Sequence, residues 1–382
     1  MANVLSQLLP FAYEAMDIVS REQIGFLPAV TLNATADRIA QNQTLYVPVT
    51  QANVISPIAP GQLPPDDGDQ TINNVPIVMS QFNRAPFRWT GEEEYAIDKG
   101  VGVRNIQVDQ IAQGIRALTN SMEQLVAAQY VYASRAWGTP GTSPFQTDLS
   151  DIAQVGKILK DNGSPPGDMH QIINTTAGVK LRSLTQLTKA NEAGTTMMRE
   201  QGNLLDIFGF ETRESAQINT HIAGTGTGYV VNAGGGLAIG TTIIPVQTGV
   251  NTILQGDFIT FAGDTNKYMV TTGLTAGNVV IAAPGLRQTQ ANAVAITVGA
   301  SYTANMAFTR NSIVLATRAP ALPTIGGVQR DLAVDRFPLI DPRSGITFEL
   351  AVYEQYMRVH YELQAVYGCA LIKPEHSVVV LG

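Results

Sequence analysis

Charge is what this sequence has least of. Asp, Glu, Lys and Arg make up 14% of its 382 residues, against the roughly 25% of an average soluble protein. A chain with so few charges must cover part of its surface. An oligomer does that, and so does a β region rich in glycine and threonine. The formal net charge of −7 excludes a basic coat for nucleic acid, because phosphate binding needs clustered Lys and Arg. It is compatible with a mildly acidic wall around packed DNA.

Cysteine is nearly absent. Cys369 alone permits no intrachain disulfide and no cysteine metal site. It suits synthesis in a reducing cytoplasm and reads as a small buried hydrophobe. Histidine is scarce as well. His170, His221, His360 and His376 never fall three or four residues apart, so there is no helical metal pair. No apolar run reaches the ~18 residues needed to span a bilayer. The opening stretch MANVLSQLLPFAYEAM lacks a basic n-region and does not read as a signal peptide.

The motifs of small-molecule chemistry are missing too. Gly224–Gly228 and Gly234–Gly236 continue into neither a phosphate loop nor a dinucleotide fingerprint, and read as turns. There is no Gly-x-Ser-x-Gly elbow. Asp66, Asp67 and Asp69 lack the calcium-loop pattern and read as a solvated acidic tip, or as one that pairs with Arg on a neighbour. No catalytic, cofactor or metal residue is expected, and the chain does not read as an enzyme.

What is present is an order of elements. Residues 3–22 carry an amphipathic helical pattern interrupted at Pro10, and 25–43 read as an extended arm. Leu45–Thr50 and Asn74–Thr90 are β-like runs on either side of a segment rich in Pro, Gly and Asp. That pattern predicts a long hairpin that needs a neighbouring surface to lie on. Thr90-Gly-Glu-Glu93 has the form of a capping box.

Gln107–Trp137 predicts a spine helix of ~45 Å with Ile111, Ile115, Leu118, Met122 and Leu125 on its core face, and Gly114 as a weak point. A helix at 151–160, a strand at 169–174 and a helix at 175–190 follow. Between Ile222 and Tyr302 the only charged residues are Asp257, Asp264, Lys267 and Arg287. Short strands recur there, so this region predicts a small inserted β-barrel or sandwich. Strands at 346–353, 357–363 and 376–381 close the chain. On the second of these, Arg358, His360, Glu362 and Gln364 share one face.

This series is similar to the tailed-phage major capsid proteins of the Hong Kong 97-like fold, in the podophage branch that carries an inserted β-barrel. LYVPVTQ at 45–51 resembles the family's entry into the hairpin. FRWTGEEEYAID at 87–98 resembles its exit toward the spine, and GDFITFAG at 256–263 resembles a barrel stretch. Tyr367-Gly368, Pro374-Glu375 and Val378–Leu381 resemble the closing segment.

The resemblance implies an α+β fold with six parts. These are an N-terminal arm (1–43), an E-loop hairpin (44–90), a peripheral domain with the spine helix (91–166), an axial domain in two parts (167–221 and 303–382) and the inserted barrel (222–302). The insertion is shorter than in the family's best-known member. Candidate interface residues on the hairpin and arm are Phe11, Leu63, Asp66, Asp67, Asp69, Arg84 and Arg88.

The implied function is self-assembly of hexamers and pentamers into an icosahedral shell, made in the host bacterial cytoplasm and resident in the virion. The implied partners are a scaffolding protein, a portal protein and double-stranded DNA held without sequence-specific contact. No membrane and no cofactor are implied. An encapsulin-like nanocompartment and a phage adhesin or tail-associated binding protein remain as alternatives.

Overall fold

Residues 25–50, 72–98, 103–188, 206–325, 328–329, 331–341 and 345–382 of the computed structural model are described, with the single positions Ile55, Pro57 and Pro60. The expected helix at 3–22 lies outside these residues.

The first described residues, Gly25 and Phe26, are bound to the spine. Their N–H groups donate to Glu123 Oε1 at 2.8 and 3.1 Å. The expected extended arm then becomes strand β1 (Thr31–Ile39), which pairs in parallel with residues Val314–Pro320. Its sequence, TLNATADRI, has no strict alternation. The ladder, not a hydrophobic pattern, fixes it.

Next come β2 (Thr44–Val49), β3 (Asn73–Val78) and β4 (Gln81–Thr90). β2 and β3 form an antiparallel ribbon. At Thr90 the capping box closes as predicted: Thr90 N–H donates to Glu93 Oε2 at 2.9 Å, and Glu93 N–H to Thr90 Oγ1 at 3.3 Å. Helix α1 (Gly91–Asp98) follows, then the spine α2 (Val103–Ala127).

The spine is 25 residues and ~37 Å long, shorter than expected. The chain tightens into a 3-10 turn at Ala128–Tyr132 and becomes strand β5 (Arg135–Trp137). The apolar spacing does continue to Trp137, but β5 is claimed by strands on both sides, and their ladders outweigh helical propensity.

Helix α3 (Ser150–Asp161), strand β6 (Met169–Ile173), helix α4 (Thr175–Ser183) and a short α5 (Thr185–Thr188) come next. Asn174 caps α4 by accepting from Ala177 N–H at 2.9 Å. The single helix expected over 175–190 breaks at Leu184, whose backbone is extended. Strands β7 (Phe210–Glu214) and β8 (Thr220–His221) lead into the charge-poor region.

That region holds β9 (Tyr229–Val231), β10 (Ile243–Gln247), β11 (Phe258–Phe261), β12 (Lys267–Thr275), β13 (Asn278–Ile281) and β14 (Ala295–Val298). The order β11-β14-β9-β10-β13-β12 returns to β11, with every pairing antiparallel, so six strands close a barrel. Tyr229, Val231, Ile244, Val246, Ile259 and Phe261 are among the residues that fill it. β9 escaped the sequence reading because it is only three residues long.

The chain returns through β15 (Tyr302–Thr309), β16 (Ile313–Pro320), the small hairpin β17 (Thr324–Ile325) and β18 (Val328–Gln329), β19 (Asp335–Ile340), β20 (Thr347–Gln355), β21 (Arg358–Leu371) and β22 (Ser377–Leu381). One sheet runs β1-β16-β21-β20-β19, with β4 along the other side of β21. The second runs β5-β22-β15-β6-β7 and joins the barrel where Lys267 and Tyr268 pair with Ala136 and Arg135.

The spine packs on the first sheet. Ile111, Ile115, Leu118 and Met122 are buried there, and Leu125 is half-buried. Gly114 sits where the helix meets Ala85 and Leu363.

Candidate functional site

For a subunit expected to assemble, the site is a surface, and the strand pattern builds one. From Asn74 to Arg88 every second residue faces out: Asn74, Pro76, Val78, Ser80, Phe82, Arg84, Pro86 and Arg88. Period-2 alternation requires this once the intervening residues are buried or half-buried. The strip spans β3 and β4 and follows about 46 Å of chain at about 3.3 Å per residue. Of the sequence-predicted interface residues, it holds Arg84 and Arg88. Phe11, Leu63, Asp66, Asp67 and Asp69 lie outside the described residues.

The ribbon has two unlike faces. Leu45, Val47, Val49, Val75 and Ile77 pack over Val314, Ala316, Val366 and Ile372 of the chain's own sheet. On the other face Tyr46 lies opposite Pro76 and Thr44 opposite Val78; Tyr46 is 68% exposed. The ribbon crosses β21 at Gly368, where an added Cβ would meet Val78 O at 2.2 Å, so only glycine permits the crossing. The prolines at 48 and 76 suit a two-stranded edge that adds no further strand.

Beside the ribbon lies a polar sheet face. His360, Glu362 and Gln364 of β21 stand opposite Tyr353, Ala351 and Glu349 of β20, and opposite Arg88, Pro86 and Arg84 of β4. Glu349 is buried and holds Arg38 at 2.5 Å and Arg336 at 3.1 Å. Arg336 also pairs with Asp331. Burial works to raise the Asp331 carboxyl. Bonds from Arg336, the Ala333 N–H and Tyr353 outweigh it and hold that carboxyl below its usual range.

Glu362 takes Arg84, His360 Nε2 at 2.9 Å and Gln364 Nε2 at 2.6 Å. Burial pushes it up, and these donors bring it below the ordinary glutamate value. The strand position of His360 implies a cross-strand polar pair; the bond goes instead to Glu362, two residues along the same strand. Arg84 is paired with Glu362, and among the described residues Arg88 has no ion pair.

A second polar cluster was not legible in the sequence. At the root of the barrel, Asp257 is fully buried. It accepts from Gly224 N–H at 3.0 Å and Leu254 N–H at 2.7 Å, and lies 2.8 Å from His221 Nε2. His221 Nδ1 is 2.9 Å from Tyr130 Oη, and Tyr302 Oη donates to Gly256 O at 2.6 Å. Burial raises the Tyr130 and Tyr302 phenols above the ordinary tyrosine value. Spine end, second sheet and barrel meet here. The partners are 36 and 91 positions apart, and no local pattern pairs them.

At the opposite end of β21, α1, Val334 and the β20–β21 turn enclose a groove of about 1100 Å³, with Trp89, Tyr95, Tyr356 and Met357 in its wall. Among the described residues no group of three or more His, Cys, Asp or Glu is placed to hold a metal ion. No described helix is long and apolar enough to cross a membrane. Cys369 is half-buried, and burial pushes its thiol up.

No protein-family model and no curated protein matches the chain. Solved structures do. The capsid structure of cyanophage P-SCSP1u superposes on 92% of this chain and 86% of its own, with TM-score 0.50 and 12% identity. A chain from Mycobacterium phage Che8 covers 89% and 84% at TM-score 0.47 and 14% identity. The bacteriophage PhiM1 mature capsid covers 94% and 86% at 0.46 and 11%. The cyanophage likeness shows the fold alone. This chain is built on the α+β fold of that phage capsid chain, consistent with the Hong Kong 97-like fold.

Proposed function

We propose that this chain is the major capsid (coat) protein of a tailed bacteriophage, in the podophage branch that carries an inserted barrel. It assembles as hexamers and pentamers into an icosahedral shell around double-stranded DNA, made in the bacterial cytoplasm with a scaffolding protein and a portal. The observation that carries this reading is the pairing of a capsid-like fold with a ribbon and strip whose outward faces have no cover among the described residues.

In this reading the hairpin 44–90 lies over the adjacent subunit. The spine region 91–166 forms the periphery, residues 167–221 and 303–382 meet their copies at capsomer centres, and the barrel 222–302 faces outward. Binding spread over many weak contacts allows errors to dissociate, and repetition supplies the collective stability. No side chain performs covalent chemistry.

The test is sedimentation of the full chain co-expressed with its scaffolding protein. Particles of capsid size support the proposal. A chain that stays monomeric with scaffold present refutes it, and particles that carry a protein cargo without DNA assign it to a nanocompartment instead.

A further inference from the structure

Between β5 and α3, residues 138–149 form a twelve-residue loop without helix or strand. An ordinary connection takes roughly 4–6 residues. This loop is built into the fold. Gly138 turns the chain at φ +102°, where an added Cβ would meet Leu381 O at 2.9 Å. Phe145 is fully buried in a core it shares with α3, at φ +62°, a conformation that strains any side chain. Asp151 pins the segment at two points. Its Oδ1 accepts from Trp137 Nε1 at 3.0 Å, and its Oδ2 from the Phe145 N–H at 3.0 Å.

With Thr265 and Lys267 of the barrel side and Leu381 of β22, the loop walls a cleft of about 490 Å³. Small-molecule sites span roughly 300–1,000 Å³. The aromatic wall is Trp137, half-buried, with its indole N–H already bonded to Asp151. Six hydroxyl side chains share the cleft with it: Thr139, Thr142, Ser143, Thr147, Ser150 and Thr265. The four threonines are exposed, and among the described residues their hydroxyls have no partner.

The charged groups of the wall are engaged within the chain. Lys267 donates to Gly138 O. Asp148 accepts from the Ser150 N–H at 2.9 Å and its hydroxyl at 2.5 Å, and Asp151 holds Trp137 and Phe145. No free charge is left to select an ion. Hydroxyls that both donate and accept suit a ligand that does the same. An indole face gives such a ligand apolar contact for its C–H groups.

We propose that this cleft binds a neutral saccharide. A pyranose ring lies against Trp137, and its hydroxyls bond to Thr139, Thr142, Thr147 and Thr265. The inference stands apart from the shell reading, because every wall residue belongs to one chain.

Titration of the full chain tests this. Trp89 is the other tryptophan, so Trp89→Phe leaves Trp137 as the sole indole. The probes are glucose, galactose, mannose and N-acetylglucosamine, with glycerol as a polyol that has no ring. Exposed hydrogen bonds supply little net affinity, so a saturable change in Trp137 emission is expected for at least one sugar at about 1 mM, and none for glycerol.

T139A/T142A/T147A is expected to weaken that binding roughly tenfold while the thermal unfolding midpoint stays at the wild-type value. Calorimetric titration of the wild-type chain with the same sugars gives an independent reading that needs no substitution. No saturable response to any of the four sugars, the same response to glycerol, or undiminished binding by the triple variant overturns the proposal and leaves the shell reading standing.

Discussion

Asp257 shows what single residues contribute here. Its carboxylate answers two backbone N–H groups and His221 at a place with no solvent to replace it. Asp257→Ala removes the acceptor of both N–H groups and leaves His221 only its Tyr130 contact. The expected loss is about 3 kcal/mol, within the range for removing one side of a buried hydrogen-bonded pair. Asp257→Asn, which keeps one acceptor oxygen, costs less. Urea unfolding midpoints measure both, and equal midpoints for wild type and Asp257→Ala would dismiss this joint as structural.

Such contacts are not legible in a sequence, because they pair residues far apart along the chain. Glu123 is another case. It reads as an ordinary polar position on the spine, yet it anchors Gly25, Phe26 and the Ser215 hydroxyl at 2.7 Å. Where the chemistry is local, as at Thr90 with Glu93, the sequence states it outright.

Among elements, periodicity decided what could be foreseen. β20 and β22 stand close to their expected bounds, whereas β21 runs eight residues past its expected end because β16 and β4 extend its ladder to Leu371. The spine's apolar face also follows its pattern. Its C-terminal end does not, because residues 128–137 keep helical spacing while β12 and β22 draw them into a ladder.

Gly114, a weak point by propensity, proves to be a packing position. An alanine there would place its Cβ 3.4 Å from Ala85 and 3.7 Å from Leu363, ordinary contact distances. Gly114→Ala should therefore stabilise the chain by about 0.5–1 kcal/mol, whereas Gly114→Leu must displace both neighbours and destabilise it. Opposite shifts in the denaturation midpoint check this.

The hairpin gives an element-scale test of assembly. Deleting Ile58–Gln70 removes the far end of the hairpin and none of the β2–β3 ladder. The monomer should unfold at the wild-type midpoint while particle formation fails; normal particles would show that the hairpin has no part in assembly.

At the scale of the whole molecule, the low charge seen first in composition acquires a location. All four charged residues of the barrel region are occupied within the chain. Asp257 serves the joint, and Asp264 takes Tyr268 at 2.7 Å and Asn266 at 2.7 Å. Lys267 donates to Gly138 O and Arg287 to Asp161 O at 2.9 Å. The barrel thus presents a surface of glycine, threonine, asparagine and scattered apolar side chains. Ion pairs lie instead on the polar sheet face, as Arg38 and Arg336 with Glu349, and on the second sheet, as Arg182 with Glu214.

A monomer has no use for about 46 Å of outward-facing apolar and cationic strand; a subunit among copies does. Electron microscopy of particles purified from cells expressing the full chain with the proposed scaffolding protein puts that difference to the most direct test. Closed icosahedral shells in which each strip from Asn74 to Arg88 is covered by a neighbouring subunit are the expected result. A folded monomer under the same conditions, or shells that leave this strip bare, would contradict the account.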